Sequence, residues 1–392
     1  MQIRQNLPGN DRASSELVHL ANFLNIMTNQ KAMSNLSRPR PVLMTPIRRC
    51  GSHALRLRLN LSPDFYSPYP MHIVDFMPLV KLYGDLNNDW AYFQLVVDLV
   101  GLQNATMVKW DNVALDPVKV FEAIKEETRS VHRVAWEMLF QAGQKHQAKI
   151  VMDKSLDNVY YASELIDLFD DMLFLNVVRD PRAQVSSINK AIIHDYDPIL
   201  NTMSWVKAHD QAKLIIDNHP ERILTIRYED FLTNQEAVLY KVCQFFGIKF
   251  EDAMMDVGSS KEAKNISVLS ALWETNSSAP IPAYIDKFKK TMSSEDIEII
   301  ETIAGEYMDY YGYEKMTPAN AKITEEAIAE AKKQSQPMKQ KAWSELKEND
   351  PRDYQLRKFR SDYLEMLKKR LIEEQIEALN RVESSATTSI AK

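Results

Sequence analysis

The chain has 392 residues, 45% of them hydrophobic, with 48 Lys and Arg against 54 Asp and Glu, a net charge of -6. That length allows one large domain plus an extension, and an acidic balance argues against a nucleic-acid backbone as the main partner. Two cysteines, Cys50 and Cys243, are too few for a disulfide framework, and no run approaches the 18 apolar residues of a membrane span.

The opening lacks the apolar core of a secretory signal, so a soluble, cytoplasmic protein is the default expectation. Residues 1–40 read as an arm with one short helix over 16–27, closed by Pro39 and Pro41. Val42-Leu43-Met44 reads as a buried strand, followed by a turn from Pro46 to Gly51 and a helix over 53–60. Residues 63–78 are rich in Pro and aromatics, the composition of an ordered loop that lines a site. Helical spacing recurs over 89–101, 117–127 and 129–145.

Further strands are expected at 148–152, 173–178 and 222–227, with helices between them. Such alternation predicts an α/β fold, a parallel central sheet flanked by helices, whose ligands bind beyond the carboxyl ends of the strands. Amphipathic helices follow at 235–248 and 294–311. From 316 to 392 the chain is charged and Gly-free, with Leu356, Phe359, Tyr363, Leu367 and Leu371 on one helical stripe. This predicts a helical C-terminal extension that either packs on its own domain or builds a homo-oligomer. The expected division is 1–40, 41–315 and 316–392.

Two basic turns, roughly 130 residues apart, stand where ligands of such a sheet bind. The first, Arg48-Arg49-Cys50-Gly51-Ser52-His53, opens a helix. The second, Arg179-Asp180-Pro181-Arg182 to Ser187, follows an apolar strand. A new helix offers free N–H groups and a favourable dipole to an anion, and arginine adds a planar charged fork. Gly51 permits close backbone approach. Read alone, the first turn is equally a solvated arginine pair, and Arg179 equally the partner of a neighbouring carboxylate such as Asp180. Two such turns in one chain point to a ligand with two separated phosphates.

Taken together, the chain resembles sulfotransferases that use 3'-phosphoadenosine-5'-phosphosulfate (PAPS). Arg49 to His53 stands for the family's 5'-phosphosulfate loop, in degenerate form, and Arg179 to Ser187 for its 3'-phosphate motif, nearly complete. Arg227-Tyr228-Glu229-Asp230-Phe231, Phe245 to Ile248, Lys154-Ser155-Leu156 and Gly312-Tyr313 match further family segments in order, covering about residues 41–315. The resemblance implies a P-loop-like sulfotransferase fold and sulfuryl transfer from PAPS to a hydroxyl or amine of a small-molecule or carbohydrate acceptor. It implies no obligatory metal.

It also implies roles. Arg48, Arg49, the backbone of Cys50 to His53 and Ser52 would hold the 5'-phosphosulfate, Arg179 and Ser187 the 3'-phosphate. Tyr228 would pack near the adenine, joined by Trp205, and Lys154 would lie beside the transferred group. The His that some members carry two residues after the strand lysine is replaced by Leu156, and the Glu that others use is replaced in the stretch Tyr69-Pro70-Met71. His72 is therefore the expected base, since an imidazole titrates near working pH, with Asp75 in reserve. Tyr66, Tyr69, Asp75 and Phe76 are the expected substrate-pocket residues, with Trp90 and Trp110 either contributing or lying in the core. Two alternatives stay open: a P-loop kinase or hydrolase, which the missing phosphate-binding lysine disfavours, and a catalytically inactive sulfotransferase-like binding protein.

Overall fold

Four apolar runs and one short pair of residues form the sheet. The computed structural model describes residues 38–390 except 193, 271, 272, 274–276 and 280, with side chains described to residue 380. The arm over 1–37, with its expected helix at 16–27, lies outside the described residues. The strands are β1 (Arg40–Thr45), β2 (Phe65–Tyr66), β3 (Ile150–Asp153), β4 (Leu173–Val178) and β5 (Ile223–Arg227). They order as β2-β3-β1-β4-β5, and every pairing is parallel. β2 was read as loop in the sequence; it is a two-residue strand paired to β3.

Alternate residues of each strand serve opposite faces. Leu43, Val151, Phe174 and Val178 join the larger core, while Val42, Met44, Met152, Leu175 and Val177 join a second core on the other side. A parallel sheet buried on both faces needs such near-continuous apolar runs, which is why four of the five strands were readable. Arg40–Lys392 forms a single compact unit.

Side-chain caps fix the ends of several flanking helices. Asn88, Asp116 and Ser130 cap Asp89–Asn104, Pro117–Ile124 and Val131–Lys145, and Asp197 caps Pro198–Asn218. Each cap oxygen accepts an otherwise unpartnered N–H of the first turn.

The C-terminal segment is two helices, Glu325–Asn349 and Pro351–Ile390, broken at Asp350, which precedes a proline and lies outside the helical region at φ -140° and ψ 74°. The second lies back on the core. Tyr363 rests against Gly101, where an added Cβ would stand 1.9 Å from its hydroxyl. Leu367 and Leu371 are buried, and Arg370 pairs with the buried carboxylate of Asp98. The expected stripe therefore divides: Tyr363, Leu367 and Leu371 dock, while Phe359 stays exposed, as do Ile376 and Leu379 farther along the helix. Among the described residues no helix is long and apolar enough to cross a membrane.

Candidate active site

The carboxyl ends of β1, β3, β4 and β5 deliver, in turn, the Pro46–His53 segment, Lys154, Arg179 and Tyr228 to one region. A polar ladder crosses three of these ends: Thr45 Oγ1 donates to Asn176 Oδ1 and Asn176 Nδ2 to Thr225 Oγ1. A cavity of about 930 Å³ opens there.

The two basic turns meet inside it. Arg179 Nη1 donates to the carbonyl of Arg49 at 2.8 Å, and Arg49 Nε donates to Ser187 Oγ at 3.1 Å. The first turn is sharply bent, with Arg49 at φ 69° and Gly51 at φ 91°. Only glycine suits Gly51, because its Cβ would fall 2.1 Å from Cε2 of Tyr228. The Tyr228 ring thus lies flat against the loop, and the Arg179 guanidinium stands over that ring at 5.1 Å. The helix Ser52–Leu59 starts here with no side-chain cap, leaving first-turn N–H groups beside the cavity.

A buried ion network sets the second turn. Arg182 pairs with Asp180 at 2.6 Å and with Glu301 at 2.5 Å. Glu301, fully buried, also accepts from the backbone N–H groups of Met316 and Thr317. Glu229 accepts from the Asp180 N–H and from the hydroxyl of Tyr313. Asp180, read in the sequence as the alternative partner of Arg179, instead serves Arg182.

Lys154 is 4% exposed, and its Nζ lies 2.8 Å from Nε2 of His53. Burial, reinforced by the charge of Arg56, lowers Lys154 to about 7. Burial also holds His53 well below the usual histidine range, with Lys154 the next cause, so the neutral ring accepts from the ammonium. His53 Nδ1 is buried with no hydrogen-bond partner among the described residues. Asp153 accepts from the Ser155 N–H and from Asn158, fixing the turn that presents the lysine.

His72 lines the same cavity at φ 53°; its N–H donates to Ser155 Oγ and its carbonyl accepts from Arg360 Nη2. Burial lowers its pKa well below the ordinary value, followed by the charges of Arg48 and Lys154, so the ring is neutral and, contrary to the expectation from its residue type, does not titrate near working pH. Asp75 also lines the cavity but is held by Arg360 Nη1 at 2.7 Å. Arg48 is tied to Asp157. Tyr69 packs between His53, at 6.0 Å, and Trp273, at 5.7 Å.

Several expected positions lie elsewhere. Tyr66 belongs to β2, stacks on His146 at 4.0 Å, and does not line the cavity. Phe76 is a fully buried core residue against Tyr83. Trp205 is also core; its Nε1 donates to Gln184, whose amide holds the carbonyls of Ile47 and Arg48, so it braces the first turn from behind. The Cys50 side chain points into the second core. Trp90 is exposed, and Trp110 is buried with its indole N–H on the Tyr69 carbonyl. Sequence reasoning missed Trp273, Trp343, Arg357 and Arg360, which line the cavity from segments far along the chain. Nothing local marks them.

A family model described as the sulfotransferase family matches residues 41–252, and one described as a sulfotransferase domain matches 175–336. A comparison with curated protein sequences returns no match. Similar solved structures include the sulfotransferase domain from the Synechococcus PCC 7002 olefin synthase, at 22% identity over 68% of this chain and 95% of that one, with a TM-score of 0.47. The sulfotransferase domain from the curacin biosynthetic pathway is 18% identical over 71% and 98%, with a TM-score of 0.44. A sulfotransferase from Mycobacterium avium is 11% identical over 74% and 81%, with a TM-score of 0.38. With the first family model spanning more than half of the residues, the chain belongs to the sulfotransferase family.

Proposed function

We propose that this protein transfers a sulfuryl group from PAPS to a hydroxyl or amine of a small-molecule or carbohydrate acceptor. The observation that carries the reading is the convergence of Arg49, Ser187 and Arg179, linked by hydrogen bonds of 3.1 and 2.8 Å across 130 residues or more of chain. The residues suit the donor. Gly51 lets the Tyr228 ring lie against the loop, and among the described residues the buried Lys154 ammonium has a single neutral acceptor, so an anion beside it offsets its desolvation.

On this reading Arg49, Ser52 and the N–H groups of Gly51 to His53 hold the 5'-phosphosulfate, while Arg179 and Ser187 hold the 3'-phosphate. Tyr228 offers its ring to the adenine. When bound, PAPS supplies an activated sulfuryl group on a good leaving oxygen. Lys154, protonated, balances the charge that grows on that oxygen, as fixed cations in a dry site do for phosphoryl transfer. His72 takes the proton released by the acceptor. It is preferred over His53, whose Nε2 already faces Lys154, and over Asp75, which is paired with Arg360. His72 Nδ1 is buried with no hydrogen-bond partner among the described residues, so that nitrogen is not committed to another group.

The test is thermal denaturation with product nucleotide. Adding 3',5'-ADP should raise Tm by several degrees and 5'-ADP far less, since only the former reaches Arg179 and Ser187. Arg179→Ala should abolish that difference. Equal stabilisation by both nucleotides would remove the argument for a 3'-phosphate site.

A further inference from the structure

The cavity carries more positive charge than a bisphosphorylated donor uses, and part of it comes from the C-terminal helices. Among the described lining residues there are ten lysines and arginines and one acid, Asp75, in a chain whose net charge is -6. Lys339, Trp343, Arg357, Arg360, Ser361 and Leu364 enter from Glu325–Asn349 and Pro351–Ile390. Lys339 is balanced by Asp195, and Arg360 by Asp75 and two carbonyls.

Arg357 is balanced too, by Asp353, but one of its nitrogens is left over. Its Nε lies 2.8 Å from Asp353 Oδ1, and Nη2 donates to Asp353 Oδ2 and Ser270 Oγ. Asp353 is 3% exposed, and the guanidinium stands 5.9 Å over the Trp273 ring. The fork is therefore fixed in plane and position, while Nη1 makes no hydrogen bond among the described residues. Burial lowers Arg49, and the charges of Arg179 and then Arg357 push the same way.

Resting on the sulfuryl-transfer reading, we infer that the acceptor is itself anionic: a hydroxylated molecule with an apolar or aromatic body against Trp273 and Leu364, whose carboxylate is received by Arg357. The C-terminal helix is then an acceptor-recognition element. An immobilised guanidinium edge beside an aromatic face suits a planar carboxylate, because little side-chain freedom is lost when it binds.

The experiment uses the full chain loaded with 3',5'-ADP and matched pairs of hydroxy-aryl and long-chain hydroxy acids with their methyl esters, with binding followed by calorimetry. Acids should bind about ten- to a hundredfold more tightly than their esters, the range of a hydrogen bond between charged groups. Arg357→Gln should erase the preference without changing 3',5'-ADP affinity. That variant leaves Asp353 buried without its partner, so Asp353→Asn with Arg357→Gln supplies a second, charge-balanced form, for which the same loss is expected. Esters binding as well as acids, no acid binding at all, or a balanced variant that keeps the preference would overturn the inference. So would a variant that weakens 3',5'-ADP binding instead. Retained 3',5'-ADP binding in the first two cases leaves the donor reading standing, whereas loss of that binding in the wild-type protein sinks the donor reading itself.

Discussion

Gly51→Ala tests the geometry of the first turn most directly. The substitution places a methyl group 2.1 and 2.2 Å from two ring carbons of Tyr228, about half the distance of ordinary contact, at a φ of 91°. Two penalties combine. An L-residue at such a φ costs about 1–2 kcal/mol, and forcing atoms into a packed site about 1–3 kcal/mol. If the ring is pushed aside, its contact with the Arg179 guanidinium is weakened too, at about 0.5–2 kcal/mol. The expected loss is about 2–5 kcal/mol, or a Tm lower by about 4–10 °C at roughly 2 °C per kcal/mol for a chain of this size. Calorimetric melting reads the stability, and titration with 3',5'-ADP reads the site, where affinity should fall at least about tenfold. Adding Tyr228→Ala should recover the steric part of the Tm loss but not the affinity, a non-additivity expected of residues in contact. Unchanged melting and unchanged nucleotide affinity in Gly51→Ala would refute the account of this loop.

Lys154 predicts two opposite pH dependences. Its folded pKa of about 7 lies below its value in the unfolded chain, so the unfolded state holds more protons above pH 7. Wild-type stability relative to Lys154→Met should rise between pH 7 and about 10, while its advantage in 3',5'-ADP affinity should fall over the first part of that range; a flat difference in chemical denaturation and titration would refute both. Glu301→Ala leaves the buried Arg182 with Asp180 alone and strips the acceptor from the N–H groups of Met316 and Thr317, so it should lower stability by about 1–3 kcal/mol, with weaker nucleotide binding because Arg182 shares a turn with Arg179. His72→Ala should reduce kcat by about a hundredfold or more and leave 3',5'-ADP affinity intact, whereas His53→Ala should lower both; full turnover in His72→Ala would move the proton-accepting role elsewhere.

The fold was legible where the physics is local. Val42 to Met44 and Leu173 to Val178 are apolar runs that only a doubly covered strand explains, whereas Phe65–Tyr66 is too short to show periodicity. The break at Asp350 was missed because the apolar stripe begins only at Leu356 and carries no signal across Pro351. At the site, Arg49 and Arg179 were readable because each belongs to a turn with its own sequence pattern. Arg357 and Arg360 were not, since a charged residue on a long polar helix looks the same whether it faces solvent or a cavity. Trp205 was placed wrongly beside the ligand for a related reason: composition marks a large aromatic near a motif but not which way it points, and here it supports Gln184. Tyr66 and Phe76 were separated from Tyr69 by strand pairing and core burial, neither of which loop composition reveals.

The hold of Arg360 on the His72 carbonyl spans 288 residues of sequence. During synthesis the strands and both cationic turns are complete long before that guanidinium emerges. A chain released before that point would therefore hold both basic turns while the wall opposite them stood open to water. That wall closes only once the helix Pro351–Ile390 has been made and has folded back across the chain.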